Sequence, residues 1–120
     1  MKILIDDARP QRVERALAAF PLLGVTTNPT ILRAAEPSDF ASDLARLRGL
    51  VGERDLHVQV VARDTGGMLR EARAIRRIAG ERTLVKIPTT AAGLPAITAL
   101  KAQGVRVTAT AVYSTAQGLL

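Results

Sequence analysis

The sequence TLVKIP at 83–88 sets Lys86 between Val85 and Ile87. Lysine is almost never fully buried without a partner. Desolvation of an ammonium favours its neutral amine, and a neutral amine attacks ketones. The resulting Schiff base withdraws electrons from the neighbouring C–C bond and lets that bond break or form. The other two lysines offer no such setting. Lys2 sits at the chain start, and Lys101 lies on a predicted helix just before Gly104. Polar groups also close or interrupt the other apolar runs: Asp6 after KILI, Thr26, Thr27 and Asn28 after LGV, and Gln59 among valines. Further along, Thr108 and Thr110 alternate with Val107, Ala109 and Ala111. Thr27, Asn28, Gln59 and Thr110 are neutral hydrogen-bonding groups suited to a polyhydroxylated ligand. A carboxylate beside Lys86 favours the ammonium, so the chemical use of Asp6 is proton transfer or hydroxyl contact. Each residue also has a structural reading. A Gln or Thr in a strand is usually a hydrogen-bonded core residue, Asp6 suits a helix N-cap, and Lys86 and Asp6 suit a buried ion pair.

The elements that must position these groups alternate along the chain. Short apolar, β-branched runs predict strands at 2–6, 23–27, 56–62, 83–88 and 105–113. Between them, Pro10 suits a first helical turn, and Val13, Ala16, Leu17 and Phe20 have helical spacing. Residues 30–35 fit a short helical turn. Ser38 is the expected N-cap of a helix through Val51 that carries Phe40, Leu44 and Leu47 on one side. Thr65 is the expected cap of a helix ending at Ala79, with Gly80 as its stop. A further helix is expected from Thr90 or Ala91 through Gln103, stopped by Gly104, and another begins at Ser114. Strands joined by crossover helices predict a parallel α/β sheet. Two architectures fit. Length favours an open, five-stranded, flavodoxin-like sheet. The placement of polar residues favours an incomplete (βα)8 TIM barrel covering the first five strands of a fold that typically needs ~250 residues. In either case the C-terminal strand ends share the face where sites are built.

At 120 residues and 48% apolar, the chain is at most one domain with a real core. It has no cysteine, which excludes disulfides and thiol chemistry. No apolar run reaches the ~18 residues of a membrane span, and MKILIDDARP is not a signal peptide. A soluble cytoplasmic protein is expected. The net charge of +6 comes mainly from arginines. On the helix at 65–79, Arg70, Arg73 and Arg77 lie off the stripe of Leu69, Ala72, Ile75 and Ala79, as a solvated face would. Aromatics are only 2%, so the chain lacks stacking groups for nucleic acid. Gly66 and Gly67 after Thr65 form the one glycine pair placed for a phosphate grip, and read more simply as a helix start.

GVTTNPTIL at 24–32, QVVA at 59–62, LVKIPTTAAGLPAI at 84–97 and TAVYSTAQGLL at 110–120 resemble the fructose-6-phosphate aldolase and small transaldolase family. Together these motifs are specific, and the resemblance runs over the whole chain. It implies a class I aldolase or aldol transferase of carbohydrate metabolism, working on a sugar phosphate or dihydroxyacetone-type ketone without metal or cofactor. Lys86 resembles the Schiff-base lysine, and Asp6 the active-site aspartate. Thr26, Thr27 and Asn28 belong to the substrate-facing TTNP loop. Gln59 and Thr110 resemble the residues near the catalytic water, and Gln59 leans towards the aldolase branch. There are departures. The family has a small hydroxyl residue after its strand-one aspartate, where this chain has Asp7 and Ala8. The family's tyrosine general acid and its serine and arginine phosphate grip belong to later parts of the barrel, and Tyr113 is not that tyrosine. The expectation is therefore that residues 1–120 are the N-terminal portion of a single barrel domain. Such a sheet exposes two edges, which predicts self-association. An inactive fragment and a non-enzymatic small-molecule binder are the alternatives.

Overall fold

Each predicted strand forms, and each is shorter than its apolar run. The computed structural model describes residues 2–28 and 39–119. In chain order the elements are β1 (Leu4–Asp6), α1 (Pro10–Ala19), β2 (Gly24–Thr26), α2 (Phe40–Val51) and β3 (Asp55–Gln59). They continue with α3 (Thr65–Ala79), β4 (Leu84–Pro88), α4 (Gly93–Ala102), β5 (Val107–Thr110) and α5 (Thr115–Leu119). The helical turn expected at 30–35 and the Ser38 cap lie outside the described residues.

Local chemistry explains the shortened strands. Beyond β3 the Glu71 carboxylate accepts the N–H groups of Val61 at 2.6 Å and Ala62 at 3.1 Å, so the chain turns towards α3. Beyond β5, Ala111 adopts a φ of 57°, a left-handed conformation that ends an extended run. The start of α3 also differs from expectation. Asp64, not Thr65, is its N-cap, and both Asp64 carboxylate oxygens accept from Gly67 N–H at 3.0 and 3.1 Å. An acidic acceptor at this position offers a stronger, charge-assisted bond than a hydroxyl. Thr65 instead donates to the Ala92 carbonyl at 2.8 Å, tying α3 to the start of α4. Gly67 is thus a helix-start residue with its N–H committed.

The five strands are all parallel, in the order β1-β2-β3-β4-β5. A flavodoxin-like sheet would exchange its first two strands and wind helices over both faces. Here successive helices pack against each other, α1 on α2, α2 on α3 and α3 on α4. They therefore cover one face of a singly wound sheet. This is the arrangement of a partial TIM-barrel-like fold, and the flavodoxin-like alternative is set aside. Val25, Leu56, Val58, Val85 and Ile87 face the helices and form one cluster with Val13, Leu44, Leu47, Met68, Ile75 and Leu100. Gly24 shows how tightly β2 meets β3: a Cβ there would lie 1.9 Å from the Asp55 carbonyl oxygen.

The N-terminal rim of the sheet is laced by Arg48. Its guanidinium donates to the carbonyls of Ala79 (2.9 Å), Gly52 (2.9 Å) and Arg54 (3.0 Å), and to the Thr83 hydroxyl (3.1 Å). It thereby satisfies carbonyls that the ends of α2 and α3 leave open. Arg48 departs from the expected solvated arginine face, whereas Arg70, Arg73 and Arg77 are exposed as expected.

Among the described residues β1 and β5 each pair on one side only. Val61 and Val112 near the C-terminal rim are 51% and 41% exposed. Unpaired strand edges are templates for pairing with another chain. A polypeptide of these 120 residues is accordingly expected to self-associate at micromolar concentration. Light scattering checks this, and a stable monomer that unfolds cooperatively would show that the sheet closes its own core.

Candidate active site

Side chains alternate across a parallel sheet, so the register defines which residues share the face away from the helices. Asp6, Thr26, His57 and Leu84 form one row across β1 to β4. The next row towards the C-terminal ends holds Gln59, Lys86 and Thr108. Thr110 lies one row further on, paired with Pro88. Five of the residues expected at a site, Asp6, Thr26, Gln59, Lys86 and Thr110, are therefore on one face within three rows. Asn28 follows β2 and is half-buried.

Thr27 is not brought to this face. It follows Val25 by two positions and so points to the helix side, where it is completely buried. Its N–H donates to the His57 carbonyl at 3.0 Å, and its hydroxyl is directed at the Asn28 carbonyl at 3.5 Å. Thr27 holds the end of β2 against β3.

The same alternation corrects the expected setting of Lys86. Val85 and Ile87, its sequence neighbours, point into the helix-packed core and are fully buried, while Lys86 is half-buried on the opposite face. The four ion pairs among the described residues do not include it. Asp6 is neither its counter-ion nor a helix cap. The Asp6 carboxylate accepts the Thr26 hydroxyl at 2.6 Å, a short charge-assisted bond that orients it along the sheet. The amine and the carboxylate therefore occupy one face without neutralising each other.

The loop after β1 is held by the residue that departs from the family pattern. Asp7 is 6% exposed and accepts the N–H groups of Ala8 at 2.8 Å and Arg9 at 2.9 Å. The Arg9 guanidinium adds bonds of 3.0 and 2.9 Å. The side-chain bond from Arg9 is the main reason the Asp7 carboxyl is pulled down to about 2. Asp7 fixes the turn that carries Asp6, which sequence reasoning missed because the carboxylate's partners are its own next residues. A depressed carboxyl adds stability that is present above the unfolded value of ~3.9 and lost as pH falls towards 2. Asp7→Asn is expected to cost on the order of 1–2 kcal/mol at pH 7, with the difference from the parent shrinking between pH 4 and 2. Thermal unfolding across pH checks this.

A cleft of about 430 Å³ opens at the C-terminal ends of β3 and β4, with Gln59, Arg63, Met68, Pro88, Thr90 and Ala92 on its walls. Gln59 belongs both to the cleft and to the row of Lys86. Sequence reasoning missed His57 altogether, although HVQ places it two residues before Gln59 and hence on the same face. No helix among the described residues is long and apolar enough to cross a membrane.

A singly wound parallel α/β sheet that gathers lysine, carboxylate, amide and hydroxyl groups on its helix-free face is consistent with a partial TIM-barrel-like fold. Comparison with known proteins makes the assignment specific. The family model described as Transaldolase/Fructose-6-phosphate aldolase matches residues 3–120, and the chain belongs to that family. It is 40% identical over 121 residues to a probable fructose-6-phosphate aldolase of Streptococcus pneumoniae (strain ATCC 700669 / Spain 23F-1). That match takes in 100% of this chain and 54% of the relative, so the chain spans about half the length of the curated protein it resembles.

Proposed function

We propose that this chain carries the imine-forming part of a class I aldolase acting on a sugar phosphate or a dihydroxyacetone-type ketone. The observation that supports the reading most is Lys86 itself. It is a half-buried lysine without a carboxylate partner among the described residues, in register between Gln59 and Thr108, on the same face as Asp6. The neutral Lys86 amine adds to the ketone carbonyl, and loss of water leaves a protonated imine. Loss of the proton from the hydroxyl on the carbon β to the imine breaks the Cα–Cβ bond, whose electron pair forms the enamine as the imine electrons move to nitrogen, and an aldehyde is released. A proton returned to the enamine carbon and hydrolysis complete the cycle and free the amine.

Asp6, held by Thr26, moves the protons of these steps. Gln59 and Thr110 hold the water that enters and leaves, and Asn28 and Thr26 contact substrate hydroxyls. Thr27 acts through the backbone of that loop. Carbohydrate metabolism and a cytoplasmic setting follow from the same reading. The name of that relative favours fructose 6-phosphate as the substrate of this site over a transaldolase donor, as Gln59 does.

The test is chemical capture. The chain is incubated with dihydroxyacetone and reduced with borohydride, and its intact mass is measured. A covalent gain of one reduced ketone is the expected result. An unmodified chain, under conditions that modify a control imine-forming aldolase, overturns the reading and favours a non-enzymatic binder.

A further inference from the structure

Two buried side-chain polar atoms lack a partner among the described residues, His57 Nε2 and Thr89 Oγ1. His57 is the chain's only histidine, and it is 8% exposed. Its register places it between Thr26 on β2 and Leu84 on β4, one row towards the N-terminal ends from Lys86. Yet its Nδ1 lies 2.8 Å from the Thr108 hydroxyl on β5. Adjacent strands are ~4.8 Å apart, so a side chain from β3 that touches β5 must cross the whole inner face of β4. Thr108, which anchors it there, is the register partner of Lys86. The imidazole therefore fills the interval between Leu84 and Lys86 on β4.

We infer that His57 is a positioning residue for Lys86: its ring, anchored to Thr108, is packed directly beneath the lysine side chain and shares the electrostatic environment of the amine. The inference rests on Lys86 being the imine-forming residue. Among the described residues the charged groups around the ring are few. Lys86 faces it from β4 and Asp55 from its own strand. Arg106, at the start of β5, is paired to Asp55 at 2.9 Å. From β1 comes Asp6, engaged by Thr26, while β2 offers only the uncharged Thr26. Burial pushes the imidazole below its ordinary value, the charges of Lys86 and Arg106 push the same way, and Asp55 opposes them. The ring is thus neutral at neutral pH. A neutral ring excludes water from the underside of the amine without setting a second positive charge beside the imine.

One histidine means one imidazole signal, so the test needs no assignment. Two-dimensional NMR of the labelled chain follows the ring carbon–proton signal from pH 4 to 8 in the parent, Lys86→Met and Lys86→Arg. The expected midpoint lies below the ordinary histidine value in the parent. It moves upward in Lys86→Met, which removes the neighbouring charge, and does not rise in Lys86→Arg, which keeps it. An unchanged midpoint in Lys86→Met overturns the proposal, as does an equal rise in both variants, which would be a packing effect. Borohydride capture on the same parent sample separates this from the functional reading. A midpoint that depends on Lys86 without any ketone adduct retains the coupling and removes the imine. An adduct with an unmoved midpoint does the reverse.

Discussion

Lys86→Met is expected to abolish borohydride-dependent uptake of dihydroxyacetone by this chain. Methionine nearly matches the length and apolar character of the lysine stem but has no amine, so it removes the nucleophile with little change to the sheet. Val85 and Ile87, which anchor β4 in the core, face the other way and are untouched. The fold should therefore survive, as far-UV circular dichroism would show. The effect is a complete loss rather than a fold-change, because without the amine no imine forms. Lys2 is exposed at the chain start, and Lys101 is exposed in the last turn of α4. Neither lies in a strand row with Lys86, since Lys2 precedes β1 and Lys101 is on α4. Residual uptake by the Lys86→Met chain at the parent rate would move the chemistry to one of them.

Turnover of fructose 6-phosphate by a polypeptide of these 120 residues is expected to fall at least ~10²–10⁴-fold below that of a complete family member. That factor is the usual contribution of a positioned general acid. Imine formation asks for Lys86 and a half-dry face, both of which the described sheet has. Cleavage also asks for a proton donor to the departing group and a grip on the phosphate. Tyr113 is the chain's sole tyrosine, and its side chain is 88% exposed to solvent. Among the described residues Arg63 is the one cation on the walls of the cleft beside Gln59, and its exposure makes it a weak hold. A steady-state assay of aldehyde release measures the difference. A rate equal to that of a complete enzyme would mean that these residues supply the missing acid.

The parts of this arrangement that follow from periodicity could be read directly from residues. Five apolar runs separated by helix-length segments specify a parallel sheet, and glycines at 80 and 104 mark helix ends at their positive φ. A polar group near the C-terminal end of each strand was legible, and alternation puts Asp6, Thr26, Gln59, Lys86 and Thr110 on one face. The alternation of elements alone left singly and doubly wound sheets open, and the placement of polar residues pointed to the barrel order that the sheet has. The contacts between successive helices decide between the two. Thr27 was misplaced because TTN suggests a single polar cluster, whereas alternation sends its middle member into the core. Asp64 was passed over for Thr65 because both suit an N-cap and only geometry shows which accepts from Gly67. His57 was hidden for a different reason. Its importance depends on reaching Thr108, 51 residues away in sequence, and no local pattern encodes a contact across an intervening strand.

On the proposed function, Lys86 is the residue that bonds to the ketone. The most direct measurement is peptide mapping by mass spectrometry after incubation with dihydroxyacetone and borohydride reduction. The predicted result is a single reduced adduct on the peptide bearing Lys86, absent from the Lys86→Met chain. An adduct found on Lys2 or Lys101 while Lys86 remains unmodified would contradict it.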